Sequence, residues 1–88
     1  MAKSVFTKKY DQFRQSLIQA RQAAGMTQLA LAAKLSRPQS FVSKFERGER
    51  RLDVIEFLDI ARALGFDPAH FLKKISKSKV ASSSKSLL

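Results

Sequence analysis

Four polar side chains follow Pro38 at spacings that place them on one side of a short helix. They are Gln39, Ser40, Ser43 and Lys44. Glutamine can form two hydrogen bonds to adenine N6 and N7, serine can contact several base edges, and lysine can reach guanine O6 and N7. Val42 and Phe45 are apolar and would anchor the opposite side of the helix to a core. The pattern predicts hydrogen bonding to base edges in DNA, with plain solvent exposure as the alternative.

Four arginines flank this helix and are candidates for phosphate contacts. They are Arg37, Arg47, Arg50 and Arg51. A guanidinium group binds phosphate oxygens through paired N–H donors, so these side chains could clamp both strands of a duplex. The alternative is a solvated charged loop, and Glu49 in its middle weakens the local positive potential.

The net charge of +10 is unevenly distributed along the chain. Residues 1–45 carry eight Lys and Arg against one acid, and residues 68–88 carry five Lys and no acid. Residues 46–67 carry four Arg against six acids. Basic surfaces bind DNA by releasing its condensed counterions. The distribution therefore favours a polyanionic partner, with a solvated surface as the alternative and a membrane surface as a lesser one. Together with the candidate base-reading side chains, it points to double-stranded DNA.

Two short helices are predicted to hold these side chains. Thr27 is a good N-cap for the first of them, and Pro38 suits the first position of the second. Only about three residues separate the two, which indicates a tight helix-turn-helix over about residues 27–46 and not a flexible linker. A longer helix over about residues 8–24 precedes them, and Gly25 closes it.

Two further helices complete the predicted fold. Asp53 and Glu56 form a capping box at the start of a fourth helix, which Gly65 ends. Its expected buried residues are Val54, Phe57, Leu58, Ala61 and Leu64. The pair Asp67-Pro68 begins a short fifth helix that is predicted to end near Ile75. Since period-two alternation is missing, we predict an all-α fold.

The chain divides into one domain over residues 1–75 and a tail over residues 76–88. The tail holds six serines and three lysines with few apolar residues, so we predict that it is disordered and basic. The apolar runs fall far short of the roughly 20 residues that span a bilayer. Residues 1–10 also lack the apolar core of a secretory signal, and we expect a cytoplasmic protein.

Catalytic chemistry has little support in this sequence. Cysteine is absent and His70 is the sole histidine, which leaves no set of soft ligands for a metal ion. The three glycines are isolated and form no phosphate-binding loop. We therefore expect no enzyme activity, no catalytic residue, no metal site and no cofactor.

Several short motifs together resemble one known family. They are Met26-Thr27-Gln28, Leu31-Ala32, Leu35, Val42-Ser43-Lys44, Glu46-x-Gly48 and Ile60-Ala61-x-x-Leu64. In this order and spacing the chain resembles the lambda-repressor-like, Xre-type helix-turn-helix family over about residues 10–75. The resemblance implies a compact five-helix DNA-binding domain with its helix-turn-helix at helices 2 and 3. The third helix would lie in the major groove.

The resemblance also implies roles for individual residues. Three match positions that read bases in related repressors: Gln39, Ser40 and Lys44. Gln28 matches a glutamine that grips the DNA backbone beside a helix N-terminus, where free N–H groups attract phosphate. Arg21 and Glu46 match a structural ion pair that joins the first helix to the end of the third and orients it.

Two positions depart from the family pattern. Ser36 stands in the turn where many members have glycine, so a left-handed backbone there would carry strain. Phe41 is apolar at a position that is often polar. It is expected either to pack on the second helix or to touch a thymine methyl group.

The residues and the resemblance together favour a sequence-specific transcriptional regulator, most simply a repressor that binds a palindromic operator as a homodimer. Candidate dimer-interface residues are Phe66, Phe71, Leu72 and Ile75, with closure of the core as the alternative role for each. Phage repressors and restriction-modification controllers are subtypes that the sequence does not separate. A second hypothesis is an antitoxin that holds a partner toxin.

Overall fold

The computed structural model describes residues Thr7–Lys77, which form five α-helices and, within that range, no β-strand. The helices are α1 (Lys8–Ala23), α2 (Gln28–Leu35), α3 (Gln39–Glu46), α4 (Val54–Leu64) and α5 (Pro68–Ser76). The predicted all-α fold is confirmed. None of the described helices is both long and apolar enough to cross a bilayer. The predicted tail lies, from residue 78 onward, outside the described residues.

Side-chain caps set the starts of most helices. Thr27 accepts a hydrogen bond from the amide of Ala30 at 3.0 Å, as its N-cap assignment predicts. Asp53 and Glu56 form the predicted capping box, in which each side chain accepts a backbone N–H of the other. α3 differs because its N-cap is Pro38, which supplies no side-chain acceptor.

The core lies where α1, α2, α3 and α4 meet. Its largest fully buried side chains are Leu17, Leu31, Val42, Phe45 and Ile60. An aromatic layer continues this core towards α5, with Phe57 at its centre. The ring of Phe57 lies 5.4 Å from that of Phe13 and 5.5 Å from that of Phe71, measured between centroids. Helix α3 is therefore attached to a rigid base on its apolar side.

The buried face of α4 differs from the predicted one. Its buried residues are Glu56, Phe57, Ile60 and Ala61. Val54 and Leu58, which were expected inside, are 70% and 43% exposed, so that part of the prediction is wrong. Glu56 takes a place on the buried side, where arginines bind its carboxylate. A charged residue can be buried there because its charge is paired.

The turn between α2 and α3 contains the one non-glycine residue with positive φ in the described chain. Ser36 is the C-cap of α2 and has φ 57° and ψ 42°. This is the left-handed conformation in which the Cβ of an L-residue is crowded. The turn therefore adopts a backbone conformation that favours glycine, although serine stands at this position.

We expect Ser36→Gly to raise the free energy of unfolding by about 1 kcal/mol, because glycine adopts this conformation without the Cβ clash. The midpoint of urea unfolding should rise with an unchanged slope. Ser40→Gly is the matched control, since it places glycine inside α3 and should lower stability by about 0.5 kcal/mol. A variant at Ser36 that is no more stable than the parent would contradict the strain.

Candidate nucleic-acid interface

The outer side of α3 is polar and accessible over its whole length. Gln39, Ser40 and Lys44 are exposed, whereas Ser43 is half-buried and its hydroxyl donates to the carbonyl oxygen of Ser40 at 3.4 Å. The opposite side of α3 carries buried apolar residues that fix its rotation. The structure thus brings the four candidate base-reading residues to one side of one helix.

A chain of side-chain contacts connects the start of α3 to its end. The Nε2 atom of Gln39 lies 3.5 Å from Oε1 of Gln28, a long contact. Nε2 of Gln28 donates to Oε1 of Glu46 at 2.9 Å. Gln28 is the first residue of α2, so its amide group links the two helices of the helix-turn-helix. One N–H of each glutamine amide remains for an outside acceptor in this arrangement.

Glu46 is the centre of a largely buried ion pair. Its side chain is 6% exposed and that of Arg21 is 12% exposed. Nε and Nη2 of Arg21 donate to the two carboxylate oxygens at 2.6 and 3.1 Å. Nη1 of Arg21 also donates to the carbonyl oxygen of Met26 at 2.8 Å. This paired geometry fixes the end of α3 relative to α1.

Arg14 also holds the end of α3, a role that was not predicted from the sequence. Its guanidinium donates to the backbone carbonyl of Glu46 and to the carboxylate of Asp11. Arg14 and Arg21 are seven residues apart and so lie two turns apart on α1. This spacing could have indicated the role of Arg14, because it places both cations on the side of α1 that faces α3.

A second arginine–carboxylate cluster lies beside α3, at the start of α4. Arg50 donates from Nη1 and Nη2 to the carboxylate oxygens of Glu56 at 2.8 and 2.7 Å. Nη2 of Arg37 approaches the same carboxylate at 3.5 Å. The guanidinium carbons of Arg37 and Arg50 lie 4.3 and 5.0 Å from the ring centroid of Phe41. The cluster therefore joins the residues before and after α3 to α4.

The electrostatics of this cluster are dominated by Glu56. The hydrogen bonds from Arg50, supported by the backbone N–H of Asp53 and by the charge of Arg37, lower the pKa of Glu56 from 4.5 to about 2 against the opposing effect of burial. The same hydrogen bonds raise the pKa of Arg50. Glu56 thus stays ionised and neutralises one of its two cationic partners.

Phe41 is 8% exposed and is covered by these guanidinium groups. Of the two expected roles, packing is the one that the structure shows, because a buried ring does not present itself to a thymine methyl group. Its ring also packs edge-on against Phe45, with centroids 5.5 Å apart. Stacked guanidinium groups add a cation–π attraction to the pairing with the carboxylate.

The other two predicted phosphate-binding arginines follow α3 in the chain, and Arg47 is its C-cap. Arg47 pairs with Glu49 at 2.9 Å in an exposed contact, and its guanidinium lowers the pKa of that carboxyl. Arg51 lies over the ring of Tyr10, 4.2 Å from its centroid. Each of the four predicted phosphate-binding arginines thus has a partner within the chain, and three of them lie at or pack against α3.

The four candidate dimer residues divide into two groups. Ile75 is buried, and the rings of Phe66 and Phe71 stack with centroids 4.7 Å apart, partly buried against the core. Leu72 is 46% exposed. Three of the four thus contribute to packing within the domain, and a role of this group in dimerisation stays a prediction.

The site as a whole offers hydrogen-bond donors and acceptors on a rigid helix, surrounded by cations. An α-helix of this kind fits the major groove of B-DNA, which is about 12 Å wide. Among residues Thr7–Lys77, no group of three or more His, Cys, Asp or Glu side chains is placed to hold a metal ion. The arrangement favours binding to a duplex through base edges and phosphates.

Comparison with known proteins gives a match to a family model. The model describes the helix-turn-helix family and matches residues 17–71. This range contains both helices of the predicted helix-turn-helix together with α4. A search of curated protein sequences gave no significant match.

Several solved structures are similar to the chain. An XRE-family like protein from Pseudomonas syringae pv. tomato str. DC3000 has 54% sequence identity and a TM-score of 0.78, with 81% of this chain and 87% of that chain covered. The restriction-modification controller protein C.AhdI from Aeromonas hydrophila has 32% identity and a TM-score of 0.66, with 72% of this chain and 91% of that chain covered. The clp gene regulator ClgR from Corynebacterium glutamicum has 20% identity and a TM-score of 0.72, with 91% of this chain and 85% of that chain covered. This likeness supports the fold alone.

Proposed function

The chain belongs to the XRE-type helix-turn-helix family of DNA-binding regulators, and from that premise we propose that it is a repressor that binds a palindromic operator as a homodimer. The observation that carries the proposal is the exposed polar side of α3, held at both ends by arginine–carboxylate clusters. A regulator of this kind acts in the cytoplasm as a binding protein and not as an enzyme.

Within this proposal, the outer residues of α3 read bases. Gln39 and Lys44 are the principal readers, because they are exposed and long enough to reach base edges. Ser40 contacts the same groove, and Ser43 takes a secondary place since its hydroxyl already donates within the helix.

Phosphate contacts surround this helix in the proposal. Gln28 offers its remaining N–H at the start of α2, where the helix dipole also favours an anion. The surrounding cations are Arg37, Arg47, Arg50 and Arg51. Of the two arginines on Glu56, Arg37 is the more readily released, because its contact is longer, 3.5 Å against 2.7 Å for Arg50.

Selection of bound sequences from a random DNA pool tests the function directly. We expect a palindrome whose half-sites are separated by about one helical turn, roughly 34 Å. Recovery of unrelated sequences with equal affinity would contradict sequence-specific regulation. Copurification of a stoichiometric partner protein from the native cell would favour the antitoxin hypothesis instead.

We expect Gln39→Ala to weaken binding to the selected operator by about 1–3 kcal/mol and to relax the preference at one base pair. The loss arises because the bidentate contact with the base is removed while the helix remains folded. Dissociation constants should be measured at one fixed salt concentration, on the operator and on each single-base variant of it.

Gln15→Ala is the matched control, because Gln15 is an exposed glutamine on α1. It should leave both affinity and base preference unchanged. An equal loss of affinity for Gln39→Ala on the operator and on random DNA would exclude base reading by this residue.

A further inference from the structure

Glu56 occupies donors of two of the proposed phosphate-binding arginines. Its carboxylate accepts hydrogen bonds from Arg50 at 2.8 and 2.7 Å and lies 3.5 Å from Nη2 of Arg37. Carboxylates and phosphates are bound by the same guanidinium donors, because both present paired oxygens to the planar group. The donors that Glu56 occupies are therefore withheld from a DNA phosphate until the contact opens.

Capping of α4 does not require this arrangement. The capping box uses Oε1 of Glu56, which accepts the backbone N–H of Asp53 at 3.0 Å. The other oxygen, Oε2, is the one that Nη2 of Arg37 and Nη2 of Arg50 share. The side chain of Glu56 is also only 10% exposed. Any effect of Glu56 on DNA binding therefore passes through the arginines and not through contact with the duplex.

The two arginines are held unequally on this carboxylate. Arg50 binds both oxygens, whereas Arg37 makes one long contact with Oε2. If Arg37 leaves, Arg50 still pairs with Glu56, so no buried carboxylate is left without a cation. Arg37 stands directly before Pro38, the N-cap of α3. It is thus the cation that can alternate between Glu56 and a phosphate beside the start of α3.

We propose that Glu56 is a specificity-determining residue, which competes with DNA phosphates for Arg37 and thereby weakens binding to random DNA. The inference rests on the proposed function, since it assumes that α3 reads bases. On an operator, the base contacts of α3 hold one phosphate in a fixed position near Arg37, and that phosphate displaces Glu56. On random DNA no base contact fixes the phosphate, so Arg37 stays on Glu56.

Withholding one cation affects the two kinds of complex differently. Contacts between cations and phosphates supply essentially all of the affinity for random DNA, and each adds about 0.9 to the slope of log K against log salt concentration. A specific complex also gains affinity from base edges. Competition by Glu56 therefore lowers the affinity for random DNA more than the affinity for the operator, and the ratio of the two rises.

Glu56→Gln tests the competition by removing the charge that holds Arg37. Below its unfolding temperature, we expect this variant to bind a random duplex about three- to fivefold more tightly, the strength of an exposed ion pair. The salt slope on that duplex should steepen by about 0.9. Affinity for the operator should rise less. Asp59→Asn is the matched control, because it makes the same change in charge at an exposed position of α4 and should leave the affinity ratio unchanged.

Arg37→Ala tests the same competition with Glu56 in place. It should lower the salt slope on the operator by about 0.9 and leave the slope on a random duplex unchanged. Arg62→Ala removes an exposed cation from α4 and is the control for the change in net charge, which should act alike on both duplexes. In the double variant Glu56→Gln/Arg37→Ala, the gain in affinity for random DNA should disappear.

Three results would overturn the inference. The first is weaker binding of Glu56→Gln to random DNA, which would mean that Glu56 presents the arginines to phosphate. The second is an affinity ratio that changes no more than in Asp59→Asn. The third is an equal loss of salt slope on both duplexes for Arg37→Ala. If selection yields no operator, the proposed function fails, whereas the random-duplex measurements still decide whether Glu56 withholds Arg37.

Discussion

Replacing Glu46 with alanine is expected to lower the free energy of unfolding by about 3–5 kcal/mol, the largest effect of any single change in the site. The reason is that Arg21, at 12% exposure, would keep its buried charge with only the carbonyl of Met26 as partner. Gln28 would lose its acceptor as well. Urea unfolding at neutral pH measures the loss.

Two comparisons distinguish the ion pair from a general effect of removing an acid. Glu49→Ala removes a carboxylate from an exposed pair with Arg47, so the unfolding midpoint should hardly move. Adding Arg21→Ala to Glu46→Ala should cost less than the sum of the two single changes, because no unpaired charge then remains. Additive effects in this cycle would show that Arg21 and Glu46 do not act as a pair.

The loss of Glu46 should also weaken DNA binding below the unfolding temperature. Gln28 contacts both Glu46 and Gln39, so its position depends on this carboxylate. We infer that the ion pair acts on recognition through the orientation of α3 and not through contact with DNA. Its buried position, at 6% exposure, agrees with a positioning role.

The two arginine–carboxylate clusters hold α3 from different directions. Arg14 and Arg21 tie its end to α1 through Glu46, while Glu56 ties the flanking segments to α4 through Arg37 and Arg50. A helix of eight residues is too short to be stable alone. Its orientation therefore depends on these tertiary contacts together with the buried apolar side.

Local signals in the sequence were sufficient to predict the helices. Thr27, Asp53 and Gly65 act through hydrogen bonds or backbone freedom within a few residues, so their effects are visible in the sequence. The apolar spacing in α3 likewise identified its inner and outer sides. Ser36 was predicted to be strained if it were left-handed, and it has that conformation.

Long-range partners could not be predicted in the same way. Glu56 was assigned to a capping box, and nothing near it in sequence indicates that its carboxylate also binds Arg37, nineteen residues away. Glu56 therefore lies on the buried side of α4, whereas Val54 and Leu58 are exposed. Arg14 similarly contacts a carbonyl thirty-two residues away. Such pairs depend on how the helices pack, which a one-dimensional pattern does not specify.

Glu56 is expected to make the protein unstable to acid. Because its pKa falls from 4.5 to about 2 on folding, its contribution is present above pH 4.5 and is lost as the pH falls through about 2. A shift of this size corresponds to at most about 3 kcal/mol. The arginine partners are 40% exposed, and solvent screening lowers the expected contribution to about 1–2 kcal/mol.

Glu56→Gln isolates this carboxylate, because glutamine keeps its size and can still accept the N–H of Asp53. At pH 7 the variant should be less stable than the parent, and the difference should shrink steadily between pH 4.5 and pH 2. Asp59→Asn is the control on the exposed side of the same helix and should change stability little.

A stability difference for Glu56→Gln that stays constant over this pH range would show that the charge of Glu56 does not hold the cluster. The two arginines could then leave the carboxylate at little cost in stability, and Glu56 would stabilise the fold only as a helix cap.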